Sequence, residues 1–219
     1  MPQGRYSIRD PEDGTLLGEE RFHCAPGPAG WRYVGELTSP DGAPLGSTDL
    51  TLDALGRPLR VQLRSGGWQL RGGTLDGLTW VRMDAAGRRA DEGNAAAHTF
   101  SGHSPGFLIA VSRALPPRPD TTDAPPPDRG TRIRLVTITP PTLATRTRDE
   151  SWNHLGRETH PTDGPPLAVD AYQVTDLETG DRHTVHLAGD VVLAAPGVEL
   201  EELDSPPSTF AAPPPGDAG

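Results

Sequence analysis

Residues 31–38, WRYVGELT, and residues 59–64, LRVQLR, alternate side chains of different character with a period of two. In the first run Trp31, Tyr33 and Leu37 fall on one face of an extended chain. A period of two is typical of a β-strand with one face against a core and the other in water. These two runs therefore predict a sheet rather than a bundle of helices.

Eight further short runs are strand candidates, many of them bounded by turn residues. They are residues 49–53, 68–70, 78–82, 132–139, 144–154, 171–176, 183–187 and 191–194. The chain also contains 26 Gly and 25 Pro among 219 residues, which disfavours long helices. We expect a mainly β fold, namely a strongly curved antiparallel sheet or half-open barrel of about ten strands enclosing one short helix.

The segment after Ser104 predicts that helix. Ser104 is a good N-cap residue, and Pro105 suits the first helical position. Phe107 and Val111, four residues apart, begin an apolar stripe that ends before Pro116. We expect the helix to cover the apolar face of the sheet or to close one end of it.

Two proline-rich segments interrupt the strand pattern. Residues 116–130, PPRPDTTDAPPPDRG, cannot propagate a helix or join a central strand, and they are interpreted as an insertion. Residues 205–219, SPPSTFAAPPPGDAG, predict a disordered, acidic, proline-rich tail. The expected organisation is a single β domain over residues 1–204 that carries the insertion.

The net charge is −10, and all 20 basic residues are Arg. Because nonspecific nucleic-acid binding requires a cationic surface, we expect no nucleic-acid partner. No apolar run approaches the roughly 20 residues that a membrane span needs, and the start lacks the pattern of a secretory signal. We expect a cytoplasmic protein without integral membrane association. Cys24, the sole cysteine, excludes an intrachain disulfide.

Motifs for catalysis and for metal binding are weak. Gly102-His103-Ser104-Pro105-Gly106 satisfies the GxSxG pattern of a hydrolase nucleophile elbow. However, Pro105 lacks the backbone N–H that would complete an oxyanion hole, and the strand order does not suit that fold, so a hydrolase is the third hypothesis only. The seven histidines form no HExxH pattern, and neighbouring carboxylates such as Glu19-Glu20 are interpreted as solvated. We therefore expect no catalytic residue, no metal and no cofactor.

A cluster of arginines and tryptophans is less easily explained as solvated surface. The candidate ligand-binding residues are Trp31, Arg60, Arg64, Trp68, Arg71, Trp80, Arg82 and Phe107. The arginines could simply pair with Asp49, Asp53 and Asp84 on the wet face of the sheet. Alternatively, they could line the curved sheet and meet an anionic or sugar head group beside the tryptophan rings.

The order of several short motifs resembles a family of bacterial glycolipid-binding proteins. These motifs are Gly67-Trp68-Gln69-Leu70, Leu75-Asp76-Gly77, Ser104 to Leu108 with Arg113-Ala114-Leu115, and a closing strand after Gly189-Asp190. The resemblance implies a strongly curved sheet, similar to that of lipoprotein carriers, with a concave apolar surface for a lipid or glycolipid. It implies no catalytic residue.

The leading hypothesis is a non-enzymatic protein that binds an amphipathic lipid or glycolipid-like ligand in the concave face of its sheet. The alternative is a structural or protein-interaction module whose concavity the helix fills. A largely apolar cavity of roughly 300 Å³ or more would favour the ligand. The sequence leaves the identity of the ligand and the oligomeric state open.

Overall fold

A computed structural model describes residues 1–27, 30–116, 130–162 and 166–208 of the chain. This part contains fifteen strands and one helix, α1 (Gly106–Ala114). The strands are β1 (Gln3–Arg9), β2 (Leu16–Gly27), β3 (Gly30–Thr38), β4 (Pro44–Asp53), β5 (Pro58–Ser65), β6 (Trp68–Leu75), β7 (Gly77–Asp84), β8 (Ala90–Ala95), β9 (Thr99–Ser101), β10 (Thr131–Thr139), β11 (Ala144–His160), β12 (Leu167–Asp176), β13 (Arg182–Ala188), β14 (Val191–Ala195) and β15 (Val198–Leu203).

All fifteen strands belong to one sheet, in the order β8-β7-β6-β5-β4-β3-β2-β1-β15-β14-β13-β12-β11-β10-β9. Every neighbouring pair is antiparallel except β9 and β10, which run parallel. The first and last strands pair with each other near the middle of this order, with Tyr6 opposite Leu200. The mainly β, antiparallel architecture with one helix agrees with the prediction from the sequence.

The expected number of about ten strands is too low. Each of the ten predicted runs lies within an observed strand, and the five strands without a prediction are β1, β2, β8, β9 and β15. Strand β8, ADEGNA, has no large apolar side chain, and β9 is three residues long, so neither gives a clear period-two signal.

The sheet is open, because no strand pairing in the described ranges joins β8 to β9. It nevertheless bends until its two ends meet through side chains. The rings of Trp80 on β7 and Phe100 on β9 pack edge to face, with centroids 6.2 Å apart. Arg82 Nη1 donates to the carbonyl oxygen of Thr142, in the turn between β10 and β11, at 3.4 Å. We call this region, where β7 faces β9 and the β10–β11 turn, the seam.

Helix α1 lies in the concavity of the bent sheet. Its first residue, Gly106, touches the ring of Tyr33, since a Cβ atom at that position would lie 2.5 Å from Tyr33 Cδ1. Tyr33 belongs to a row of buried rings in which Tyr6 and Phe22 stack at 4.5 Å and Phe22 and Tyr33 at 5.9 Å. The middle of the concavity is therefore filled by the helix and by this row. No helix in the described ranges has the length and apolar character needed to cross a bilayer.

The two proline-rich segments fall largely outside the described residues, namely 117–129 of the insertion and 209–219 of the tail. Residues 205–208 of the predicted tail contact the sheet. The backbone N–H of Ser208 donates to Asp190 Oδ1 at 2.7 Å, and Ser205 Oγ donates to the carbonyl oxygen of Met1 at 2.8 Å.

Candidate functional site

One end of the bent sheet carries an open groove of about 1030 Å³. The end of β3, the start of β4, the turn between β5 and β6, and the Pro140-Pro141 turn form its walls. Its aromatic side chain is Trp68, and its two charged side chains are Glu36 and Arg64. The groove thus combines one ring with a balanced pair of charges.

The groove continues into a recess of about 160 Å³, with which it shares lining residues such as Leu37, Leu45 and Arg64. Apolar side chains line much of the recess, and Leu63, Phe107 and Leu143 are buried among them. Glu20 and Ser104 also line it. The recess is therefore an apolar chamber that contains a carboxyl group and a hydroxyl group.

The carboxyl group of Glu20 is 3% exposed and is held by two donors. Ser104 Oγ donates to Glu20 Oε1 at 2.6 Å, and the hydroxyl of Tyr33 donates to the same oxygen at 2.5 Å. Burial raises the pKa of Glu20 to about 7, although both hydrogen bonds act to lower it. The carboxyl group therefore exchanges its proton near neutral pH.

The position of Glu20 follows from strand alternation and from one glycine. On β2 the residues Glu20, Phe22 and Cys24 are buried, while Arg21 between them is exposed. The carboxyl group lies over Gly35 of β3, where a Cβ atom would approach Glu20 Oε1 to 2.3 Å. Gly35 thus provides the space in which Glu20 meets Tyr33 and Ser104.

The prediction that Ser104 caps the helix is wrong. Helix α1 begins at Gly106, its N-cap position is Pro105, and no side chain caps it. The hydroxyl of Ser104 is directed to Glu20 instead, because a buried carboxyl group is the stronger hydrogen-bond acceptor. The interpretation of Glu19-Glu20 as a solvated pair is wrong for Glu20, although Glu19 does bond Arg5 near the surface at 2.7 Å.

Three of the predicted ligand residues line the groove or the recess: Arg64, Trp68 and Phe107. A fourth, Arg82, lies beside them, with its guanidinium carbon 4.7 Å from the centroid of the Trp68 ring, and it also pairs with Asp91. Arg64 forms no ion pair with any side chain in the described part of the chain. The sequence-predicted cluster thus reaches the groove from β5, β6 and β7.

The other four predicted residues do not line this groove. Trp31 is 2% exposed within the core, and Trp80 packs against Phe100 at the seam. Arg60 approaches Asp49 at 3.4 Å on the outer face of the sheet, as the ion-pair alternative predicts. Arg71, opposite Gln62 of β5, is exposed on that same face.

Glu20 and Tyr33 are not among the site residues that the sequence predicts. The signal was present in residues 20–24, where Glu20 shares the period of Phe22 and Cys24. A carboxylate on the apolar face of a strand is unusual enough to indicate a functional group or a buried partner.

A second cavity, of about 440 Å³, lies at residues 112–113, 166–172, 187–189 and 206–208. Two charged side chains along its wall, Arg157 and Asp170, bond to each other. Asp170 accepts from Arg157 Nη2 at 2.8 Å and is 2.8 Å from His154 Nε2. The groove and recess are the better candidate because a wide groove there opens into a largely apolar recess that contains Glu20 and Ser104.

No set of three His, Cys, Asp or Glu side chains able to hold a metal ion occurs within residues 1–27, 30–116, 130–162 and 166–208.

Comparison with models of protein families gives no match for this sequence. A search of curated proteins also gives no match. Among solved structures, the crystal structure of a DUF1089 family protein from Pseudomonas aeruginosa, at 1.80 Å resolution, is similar to this chain. The TM-score is 0.54 and the sequence identity 16%, over 84% of this chain and 92% of that chain. At this identity the likeness supports the mainly β fold alone, and the resemblance to a glycolipid-binding family stays a prediction.

Proposed function

We propose that the protein is a non-enzymatic, cytoplasmic binding protein for an amphipathic lipid or glycolipid-like ligand, held at the open end of the sheet. The observation that carries the proposal is the continuity of a wide groove, rimmed by Trp68, with a largely apolar recess. The recess alone is smaller than the roughly 300 Å³ of typical small-molecule sites, and the groove supplies the remaining volume.

The head group would lie in the groove. Trp68 offers an apolar ring, and Arg64, Glu36 and Gln69, which also line the groove, offer hydrogen-bonding groups. Because one cation and one anion balance each other, the groove suits a neutral polar head such as a sugar better than a strongly charged one.

The apolar chain would enter the recess. Leu17 and Leu45 stand at its mouth with 45% and 41% of their surfaces exposed, so both have apolar area left to cover. Covering such area stabilises a complex by about 25 cal/mol per Å² before the costs of association.

The competing hypothesis of a filled module accounts for the middle of the concavity, where α1 packs on Tyr33. It does not account for the groove, for the exposed leucines beside it, or for Arg64 without an ion pair among the described side chains. These features favour a ligand at the open end.

The test is isothermal titration calorimetry with n-octyl β-D-glucoside below its critical micelle concentration. We expect saturable 1:1 binding in the calorimeter. In a parallel fluorescence titration, the ligand should quench or shift the tryptophan emission, because Trp68 lines the groove. The variant Leu45→Glu introduces a charge at the mouth and should weaken binding by about tenfold or more.

The matched control is Leu75→Glu, the same substitution at an 85% exposed leucine outside the groove. It should leave the affinity unchanged. Absence of saturable binding by the wild-type chain, or equal losses in the two variants, would reject the groove as the binding site.

A further inference from the structure

The recess contains a polar atom that the fold leaves unused. Glu20 Oε1 accepts both hydrogen bonds, from Ser104 and from Tyr33, and Oε2 has no hydrogen-bond partner among the described residues. Glu20 is 3% exposed and lines the recess. Oε2 is not among the fully enclosed side-chain atoms that lack a partner, so it keeps surface open to the recess, where an occupant can bond it and stabilise the complex.

Neighbouring residues fix the position of the Glu20 carboxyl group. The carboxyl group lies over Gly35 of β3, where any side chain would displace it, and it accepts hydrogen bonds from Tyr33 on the same strand and from Ser104 in the segment before α1. A carboxyl group held by two hydrogen bonds is oriented before any ligand arrives, which reduces the cost of ordering it.

We infer that the recess binds a hydroxyl group on the alkyl chain of the ligand, with Glu20 Oε2 as its hydrogen-bond partner. The inference rests on the proposed function, since it assigns a chemical class, a hydroxylated chain, to the ligand of the same groove.

A hydroxyl group suits this position better than a charged group does. It can donate to an ionised carboxylate or accept from a protonated one, so it bonds Glu20 in either state. An ammonium group would bring three donors toward one free oxygen, and Arg64, which also lines the recess, would repel it. A carboxylate group would meet Glu20 itself.

The experiment uses 1-hexanol, a probe short enough to need only the recess, and 1-fluorohexane as the matched chain without a hydroxyl. In protein labelled with ¹³C at glutamate side chains, the Glu20 carboxyl resonance is assigned by its loss in Glu20→Gln. We expect 1-hexanol to shift this resonance saturably and 1-fluorohexane to leave it nearly unchanged.

Two variants measure the contribution of the hydrogen bond. In Glu20→Gln the amide still offers a donor, so the ratio of the dissociation constants of 1-fluorohexane and 1-hexanol should stay near the wild-type ratio. In Glu20→Met this ratio should fall by about fivefold, the usual value of one net hydrogen bond. If Glu20→Met does not fold, the resonance shift in the wild-type chain alone decides.

The outcomes separate this inference from the proposed function. Binding of octyl glucoside without any effect of 1-hexanol on Glu20 would overturn the hydroxyl assignment and keep the groove. A saturable shift of the Glu20 resonance with 1-hexanol, together with no binding of octyl glucoside, would keep the hydroxyl assignment and reject the groove as the head-group site. Tighter binding of hexylammonium than of 1-hexanol, lost in Glu20→Gln, would overturn the inference in favour of a cation.

Discussion

Two adjacent glutamates illustrate how strand geometry separates chemically identical residues. Glu19 bonds Arg5 near the surface, whereas Glu20 on the opposite face is enclosed by Gly35, Tyr33 and Ser104. Since successive side chains of a strand point to opposite faces, one step along the chain converts a solvated carboxylate into a buried one. Burial therefore raises the free energy of the ionised form of Glu20 relative to its protonated form.

We expect Glu20 to make the stability of the protein depend on pH. Its pKa is raised by burial from 4.5 to about 7 in the folded chain, so between these values the folded chain holds a proton that the unfolded chain releases. The free energy of unfolding should therefore fall as the pH rises from 4.5 to about 7, by up to about 3 kcal/mol, and level off above pH 7. Urea unfolding across this range measures it.

The control is Glu20→Gln, which keeps an oxygen for Ser104 and Tyr33 but cannot titrate. The other ionisable side chains that line the recess with Glu20 are His103, whose pKa is lowered by desolvation, and Arg64. The free energy of unfolding of the wild-type chain minus that of Glu20→Gln should fall as the pH rises from 4.5 to about 7. A difference that stays constant between pH 4.5 and pH 7 would show that Glu20 does not bind the proton.

Single residues of the site were harder to predict from the sequence than whole strands. Trp68 and Arg64 were identified because an aromatic ring and a cation on neighbouring strand candidates are visible in the chain. Glu20 was not, because β2 was not recognised, and the Glu19-Glu20 pair taken alone is typical of solvated surface. Its partners lie 13 and 84 residues away, and no local pattern encodes that proximity.

At the level of elements, period-two alternation predicted the strands well wherever apolar residues mark one face. Strands β3 and β5 are the clearest cases, since Trp31, Tyr33, Val61 and Leu63 are all buried as the alternation predicts. Four of the six residues of strand β8 are exposed and none is buried, so no face of it needed apolar residues and its sequence carries little signal. Ladder hydrogen bonds with β7, which any sequence can form, hold it in place.

Helix α1 gives a prediction in which packing opposes helix propensity. Gly106→Ala should favour the helix by about 1 kcal/mol on propensity alone. The new Cβ atom would, however, lie 2.5 Å from Cδ1 of Tyr33, a ring confined by Phe22 and by its bond to Glu20. We expect a net loss of about 1–3 kcal/mol in the free energy of unfolding, measured by urea denaturation.

Ser112→Ala is the matched control on the same helix, because Ser112 is half-buried and its hydroxyl donates to the carbonyl oxygen of Ile109, at 2.9 Å, within the helix itself. Its effect should stay within about 0.5 kcal/mol. A Gly106→Ala protein as stable as the wild type, or more stable, would mean that α1 does not press on Tyr33.

For the whole molecule, the order of the strands brings the chain back to its beginning. β15 pairs with β1, and the backbone N–H of Asp204 donates to the carbonyl oxygen of Gln3 at 2.9 Å, so the two halves of the sheet join through contacts about 200 residues apart. The sequence predicts strands and their faces because these are local properties. It does not predict this pairing, because register between distant strands depends on the assembled core.

The outer ends of the sheet depend on each other through the seam rather than through ladder hydrogen bonds. Trp80 and Phe100 meet edge to face across it at 6.2 Å, and no strand pairing within the described ranges closes the gap. A double-mutant cycle with Trp80→Leu and Phe100→Leu should therefore give a coupling of about 0.5–1.5 kcal/mol, as aromatic pairs do. Each single variant should also speed hydrogen exchange in β9, which pairs with β10 alone among the described strands. Zero coupling together with unchanged exchange in β9 would show that α1 and the buried rings alone maintain the bend of the sheet. The groove would then keep its shape without the contact between Trp80 and Phe100.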